Sequence, residues 1–171
     1  FQDDAGTGNN SGSISGARHG ITSSTDVVVV NEEGGEITGR DGSGVGSDGT
    51  GTVTNYGTIT GAYDQSGTGD GDGVDIDGYA TIDNYGTIQG TGAGGSGSDG
   101  FTNTSEGLAL GGGSITNHAG ATISGAQNGI LIDNSSQGYA PYATMLVNDG
   151  TIQGLDGYGI RINDDKDDTL T

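Results

Sequence analysis

Short segments in which apolar and polar residues alternate recur along the chain, and glycines separate them. Residues 80–90, with the sequence ATIDNYGTIQG, show the arrangement most clearly. One alternating run reaches Asn84, Gly86 follows, and a second alternating run begins. Alternation with a period of two is typical of a strand that buries one face. The segment therefore predicts two short strands joined by a corner.

Three apolar positions recur in a fixed order, and aligning them divides the chain into six coils. The first position is the centre of a Gly-Thr-Ile-type strand, the second follows a glycine, and the third is followed by asparagine. The glycine is predicted to supply a positive φ at the corner. Predicted core residues at the first position are Ile14, Ile37, Ile59, Ile88, Ile123 and Ile152.

This order predicts an all-β fold: a parallel β-helix, a three-sided solenoid of about six coils whose equivalent strands stack into parallel sheets. Residues 13–171 are assigned to this single domain and residues 1–12 to a polar N-terminal segment. Segments longer than the minimal coil are predicted insertions near residues 62–72, 91–106 and 133–143. The first two insertions lie at the same corner in adjacent coils.

Asparagine recurs at one corner of the predicted coil. Its side-chain amide can bond to the asparagine of the next coil, and asparagine tolerates the left-handed conformation. The sequence therefore predicts a structural ladder of Asn31, Asn55, Asn84, Asn117 and Asn148. In the sixth coil Leu170 and Thr171 reach the same place, and the sequence stops one residue short of the expected asparagine.

Composition changes this picture in three ways. The chain has 23 acidic and 4 basic residues, a net charge of −19, which argues against binding to nucleic acid or an anionic membrane. A hydrophobic content of 29% with that charge is typical of disordered chains, but the regular spacing of the apolar residues favours a folded stack. There is no cysteine, and no apolar run reaches the roughly 18 residues that span a membrane.

The densest acidic cluster, residues 70–77, alternates aspartate with glycine and apolar residues. Carboxylate oxygens on a tight turn suit calcium, so a Ca²⁺ site is one interpretation, and a solvated corner is the other. No other cofactor is required. The predicted calcium ligands are Asp70, Asp72, Asp75 and Asp77.

Candidate chemistry elsewhere is sparse. The four basic residues and two histidines do not combine with a nucleophile and a base, so we expect no catalytic residues and no enzyme activity. Tyr56 and Tyr85 follow ladder asparagines in adjacent coils and are predicted to stack on one another. They serve either packing along the stack or recognition of a glycan or protein.

Residues 55–61, 84–90 and 148–154 share the pattern Asn-x-Gly-Thr-Ile-x-Gly, and residues 117–125 carry an expanded form. These repeats resemble those of bacterial autotransporter passenger domains, over about residues 11–171. The resemblance implies a right-handed parallel β-helix, exported to the outside of a Gram-negative cell, that serves as an adhesin, aggregation factor or stalk. Complete members of that family also carry a signal peptide and a translocator barrel, so the chain is expected to be part of such a protein or of another secreted one.

The sequence therefore favours a structural or adhesive extracellular β-helix, part of a bacterial surface fibre, sheath or adhesin. The alternative is a carbohydrate-binding or polysaccharide-active β-helix. Expected partners are further copies of the chain or a cell-surface or glycan ligand. The open ends need covering, either by more coils of a longer β-helix or by end-to-end assembly. Candidate end residues are Ile14, Ile21, Val29, Ile152, Ile160 and Leu170.

Overall fold

The computed structural model describes residues 6–65, 69–95, 102–134 and 138–171, and every regular element within them is a β-strand. None of these residues forms a helix of the length and apolar character that crossing a membrane requires. The remaining parts of the N-terminal segment and of the three predicted insertions lie outside the described residues. The strands form three parallel sheets, which confirms the predicted fold: a three-sided, right-handed parallel β-helix.

Each of the six coils contributes one strand to each sheet, and one strand that precedes these coils makes a seventh in the first sheet. The first sheet has seven strands: Gly6–Asn10 (β1), Val27–Asn31 (β4), Gly51–Asn55 (β7), Ala80–Asn84 (β10), Gly113–Asn117 (β13), Thr144–Asn148 (β16) and Thr169–Leu170 (β19). The second has six: Ser13–Gly16 (β2), Glu36–Gly39 (β5), Thr58–Ala62 (β8), Thr87–Thr91 (β11), Thr122–Gly125 (β14) and Thr151–Gly154 (β17). The third also has six: Ile21–Ser23 (β3), Val45–Ser47 (β6), Val74–Ile76 (β9), Leu108–Leu110 (β12), Ile130–Ile132 (β15) and Ile160–Ile162 (β18).

Columns of apolar side chains, one from each sheet, fill the interior. In the second sheet the isoleucines pair with one another in register from coil to coil. Ile37, Ile59, Ile88 and Ile123 are fully buried, whereas Ile14 and Ile152 belong to the end coils and are partly buried. Burying such a side chain contributes about 1.5–3 kcal/mol, so the inner coils hold the stack together.

The asparagine ladder runs through the first sheet. Asn84 is fully buried, accepts a hydrogen bond from Asn55 Nδ2 at 2.9 Å, and donates to Asn117 Oδ1 at 2.8 Å. Each amide in the series donates to the next coil in the same direction. None of these asparagines has a positive φ, so the amide hydrogen bonds alone account for asparagine at this corner.

The first sheet extends further toward the N-terminus than the apolar pattern indicates. β1 lies within the segment assigned as polar, pairs with β4, and adds Asn10 to the ladder through a 2.9 Å bond to Asn31. The sequence of β1 shows no alternation of apolar and polar residues, because Gly8 occupies the inward position opposite Val29. Val29 is therefore 1% exposed beneath β1, which corrects its assignment to the free end of the stack.

The glycine before each third-sheet strand has a different role from the predicted one. Gly44 and Gly73 have no positive φ. A Cβ on Gly44 would lie 2.7 Å from the Gly73 carbonyl oxygen and 2.6 Å from the side chain of Ile59. Glycine is needed here because the next coil approaches closely, not because the corner is left-handed.

Candidate functional site

A second polar ladder lies at the corner that leads into the third sheet. It consists of the residues immediately before the corner glycines, which backbone hydrogen bonds from the next coil place one above another. Three of its side chains accept a backbone N–H of the next coil, Asp72 among them. Ser43 N donates to His19 Nδ1 at 3.0 Å, and Tyr158 N donates to Asn128 Oδ1 at 3.1 Å. The members are His19, Ser43, Asp72, Glu106, Asn128 and Tyr158.

Two carboxylates, Asp72 and Glu106, occupy neighbouring rungs of this ladder. Asp72 is 4% exposed and Glu106 is 3% exposed. Glu106 N donates to Asp72 Oδ1 at 2.6 Å, and Asn128 Nδ2 donates to Glu106 Oε1 at 2.8 Å. Thr104 Oγ1 lies 2.7 and 2.8 Å from the two carboxylate oxygens of Glu106. Both acids are thus held rigidly, although charged groups in such surroundings are costly to bury.

The described parts of the first two insertions pack together and enclose these carboxylates. Tyr63 N donates to Thr91 O at 2.8 Å, and the Tyr63 side chain is buried. Asn103 Nδ2 donates to Gly69 O at 2.6 Å, which joins the two insertions a second time. The two segments therefore form one structural unit on adjacent coils.

An acidic cavity of about 120 Å³ lies between this unit and the outer face of the third sheet. Carboxylates line it from β9, from both insertions and from the loop after β15, and hydroxyl and amide groups complete the wall. Such a volume accommodates several water molecules. The acidic lining residues are Asp70, Asp72, Asp75, Asp77, Glu106 and Asp133.

Burial, with crowding of like charges, raises the pKa of several of these carboxyl groups. Burial, followed by the negative charges of Asp77 and Asp70, raises the pKa of Asp75 to about 7. Burial and the charge of Glu106 raise the pKa of Asp133 to about 6, against the opposing effect of Arg161. The cavity thus contains carboxyl groups that titrate near neutral pH.

Burial likewise raises the pKa of Asp72 well above its usual value, and the charge of Glu106 adds to this effect. The Glu106 N–H hydrogen bond opposes it. A set of carboxyls that hold protons to different pH values can exchange protons with a bound molecule or bind a cation.

The structure brings the four predicted calcium ligands to one cavity but not to one point. Within the described ranges, no group of three or more histidine, aspartate or glutamate side chains is close enough to hold a metal ion. Asp72 is engaged by the Glu106 N–H, and Asp75 lies on the outer face of β9, between the inward Val74 and Ile76. The calcium site therefore remains a prediction.

Sequence reasoning missed Glu106, Asn128 and the second ladder. The Asn ladder repeats one residue type, whereas the second ladder changes type at every coil, so no repeat was visible. The available signal was positional, because each member directly precedes a corner glycine.

The predicted contact between Tyr56 and Tyr85 belongs to a longer aromatic stack. Their ring centroids are 4.7 Å apart and nearly parallel, and Tyr85 stacks on His118 at 3.8 Å. His118 Nε2 also lies 2.6 Å from Asp83 Oδ1. Both faces of Tyr85 are covered, so this ring has no face free for a sugar, and the contact favours packing along the solenoid.

Replacing Tyr85 with alanine is expected to lower the free energy of unfolding by about 1–2 kcal/mol, because two stacking contacts are lost. Urea denaturation followed by circular dichroism measures the change. Tyr139, which is 65% exposed, provides the matched control, and Tyr139→Ala should change stability by less than about 0.5 kcal/mol. Equal effects from the two substitutions would show that the stack contributes nothing.

No protein-family model matches the chain, and neither a curated protein nor a solved structure matches it. Its class therefore rests on strand order and register, which define a parallel β-helical solenoid.

Proposed function

We propose that the chain is a structural or adhesive β-helix of a bacterial surface fibre, sheath or adhesin. The observation that carries the proposal is the uninterrupted amide ladder from Asn10 to Asn148, which backs three continuous parallel sheets. Such a stack resists extension because its backbone hydrogen bonds and buried side chains repeat at every rung. The resemblance to autotransporter passenger domains supports a location on the outer cell surface.

The paired insertions are the proposed contact surface. They interrupt the minimal coil on two adjacent rungs and are joined by the Tyr63–Thr91 and Asn103–Gly69 hydrogen bonds. Functional contacts commonly lie on loops that a rigid scaffold positions. The acidic cavity beneath them makes this surface suitable for a cationic partner.

The proposal is tested by electron microscopy and by surface binding. The purified chain is expected to form elongated particles as its concentration is raised. Beads that carry the chain are expected to bind to bacterial or host cells. Beads coated with an unrelated acidic protein of similar net charge control for charge alone. A monodisperse monomer at high concentration that also fails to bind cells would count decisively against the proposal.

Carbohydrate binding is the second candidate, and the ring pair Tyr79 and Tyr142 favours it. The rings meet edge to face at 5.7 Å, and each residue is 42% exposed. Tyr142 N donates to the carbonyl of Gly111, which lines the acidic cavity, so the pair lies beside several carboxylates. Aromatic rings next to carboxylates are common in glycan sites.

A glycan array tests whether the chain binds carbohydrate, and an assay for released reducing ends tests whether it cleaves carbohydrate. The absence of a signal in both assays would contradict this second candidate.

Calcium binding at Asp70, Asp72, Asp75 and Asp77 is expected to stabilise the chain, because a dication neutralises crowded carboxylates. Binding requires these groups to close around the ion. At a free calcium concentration about tenfold above the dissociation constant, the gain is about 1.4 kcal/mol, measured as a higher melting temperature with calcium than after chelator treatment. Magnesium at equal ionic strength is the control. Identical melting with calcium and with chelator would eliminate the site.

A further inference from the structure

The acidic cavity between the paired insertions and the third sheet carries far more negative than positive charge. Among the described residues that line it, six are acidic and none is basic. Arg161 lies beside the cavity and offsets part of this charge at Asp133. Crowded, half-enclosed carboxylates of one sign are stabilised by a cation. The cavity therefore suits a positively charged group.

Two carboxyl groups in the cavity keep oxygens that accept no hydrogen bond. Asp72 is 4% exposed, and within the described ranges its side chain has one donor, the Glu106 N–H on Oδ1. Asp75, half-buried on the outer face of β9, accepts none from a described residue. Buried polar atoms in native proteins are normally paired. Asp72 Oδ2 and the Asp75 carboxyl group are thus available to the donors of a ligand.

An apolar strip continues from Asp75 along the floor of the cavity. The register of the third sheet places Asp75, Ala109, Leu131 and Arg161 in one outward row. Ala109 and Leu131 line the cavity between the carboxylate and the guanidinium. Three strand spacings, about 14 Å, separate the two charged ends of the row. A cation is directed to the Asp75 end, because the positive charge of Arg161 repels it from the other.

These features fit an alkylammonium better than a metal ion or a guanidinium. A lysine side chain combines a flexible four-carbon stem with a compact ammonium group that has three donors. Its methylene groups can pack on Ala109 and Leu131, which offer no ligand to a metal ion. Its donors can reach separate acceptors on Asp72 and Asp75, whereas a guanidinium pairs best with both oxygens of one carboxylate.

The volume and the position of the cavity indicate the source of the ammonium group. The cavity lies beneath the proposed contact surface, and its volume of about 120 Å³ suits the end of one side chain. Lys166 of a second copy is unsuited, because it is flanked by Asp164, Asp165, Asp167 and Asp168. Those aspartates would bring four further negative charges to an acidic surface. A lysine on a different protein avoids this repulsion.

We propose that the cavity binds the side chain of a lysine on a partner protein, with the ammonium group at Asp72 and Asp75 and the stem along Ala109 and Leu131. The inference rests on the proposed function, in which the paired insertions are the contact surface. It specifies the chemical group that this surface takes.

Titration with a blocked lysine, Nα-acetyl-lysine N-methylamide, tests the site. The solution is held at about pH 8, above the Asp75 pKa of about 7, and contains a chelator because calcium would compete for the same carboxylates. Nuclear magnetic resonance follows the methyl signals of Ala109 and Leu131, which are expected to shift and saturate. The norleucine analogue, which has the same stem without the ammonium group, should bind at least tenfold more weakly.

Two variants test the two parts of the site. Asp75→Asn removes a charge at the ammonium, and Ala109→Met fills the floor without changing charge. Each should weaken blocked-lysine binding at least tenfold, and circular dichroism is recorded to compare the folding of each variant with the parent. Asp156→Asn controls for net charge. Thr22→Met controls for added bulk, because Thr22 is exposed at the corresponding position of β3. Both controls should leave the affinity within about twofold of the parent.

Several results would overturn the lysine site. Equal binding of blocked lysine and the norleucine analogue would do so, as would parental affinity in Asp75→Asn. Calcium binding without any response to blocked lysine would identify a metal site instead. If n-butylammonium binds at least tenfold more tightly than blocked lysine, the cavity takes a free amine and is closed to a lysine on a protein.

The bead assay separates this inference from the proposed function. If beads that carry the chain bind cells but blocked lysine does not bind the chain, the lysine site is wrong and the adhesive function stands. If blocked lysine binds as expected but the chain neither retains beads on cells nor forms elongated particles, the site stands and the proposed function is wrong. Lysine binding and bead retention that Asp75→Asn and Ala109→Met both reduce would support the two together.

Discussion

Replacement of Asn84 with alanine is expected to lower the free energy of unfolding by about 3 kcal/mol or more. The Asn84 side chain accepts from Asn55 and Gly86 and donates to Asn117 and to the Thr122 carbonyl at 3.2 Å. Alanine leaves several of these buried groups without their partner, at about 1–3 kcal/mol each. The loss is large because water cannot reach a corner that is fully buried.

Asn148 is the matched control for this substitution. It belongs to the same ladder, but it is exposed and lies at the end of the series. Asn148→Ala should cost about 1 kcal/mol, since solvent can satisfy the Asn117 amide that it leaves. Urea denaturation curves for both variants give the comparison. Similar losses at the two positions would mean that the stability does not come from the buried amide bonds.

Stability is expected to fall as the pH rises from about 4 to about 7. The Asp75 and Asp133 carboxyls have folded-state pKa values raised to about 7 and about 6, mainly by burial. The unfolded chain, with carboxyl pKa values of about 4, releases these protons more readily. Their stabilising contribution is therefore fully present below about pH 4 and is lost by about pH 7.

Asp75→Asn is expected to remove much of this pH dependence. A pKa raised from 3.8 to about 7 corresponds to about 4 kcal/mol, an upper bound because the Asp75 side chain keeps some solvent contact. At pH 8 the variant should be more stable than the parent, with little difference at pH 4. Chemical denaturation at both pH values, in the presence of a chelator, measures the change.

Asp156→Asn controls for the loss of one negative charge, because Asp156 is exposed. It should change stability by less than about 0.5 kcal/mol at either pH. If Asp75→Asn and Asp156→Asn behave alike, net charge rather than the buried cluster governs the pH response.

Two kinds of residue were predictable from the sequence for different reasons. The core isoleucines and the ladder asparagines each recur as a single residue type. Because alternate residues of a strand point to opposite faces, these recurring residues can be assigned to the inward face. Register then follows, because a slip of one residue would expose every isoleucine. The acidic cluster at residues 70–77 was visible too, but its partners were not.

Glu106 and Asp133 come from other coils, separated along the chain by insertions of unequal length. Glu106 shares with Asp72 only the position before a corner glycine, and no local pattern relates Asp133 to either. The packing of the insertions through Tyr63 and Asn103 decides that these groups face one cavity. The same packing, by excluding water, raises their pKa values.

The sequence by itself determined the class of fold, the order of the three sheets and the amide ladder, because these depend on periodicity that every coil repeats. The tertiary structure alone decided that β1 extends the first sheet and which acids meet. β1 carries Gly8 where other coils have an apolar residue, so only its hydrogen bonds to β4 reveal it. The acidic cavity depends on side chains that are distant in the chain, and spatial neighbours of that kind leave no periodic trace.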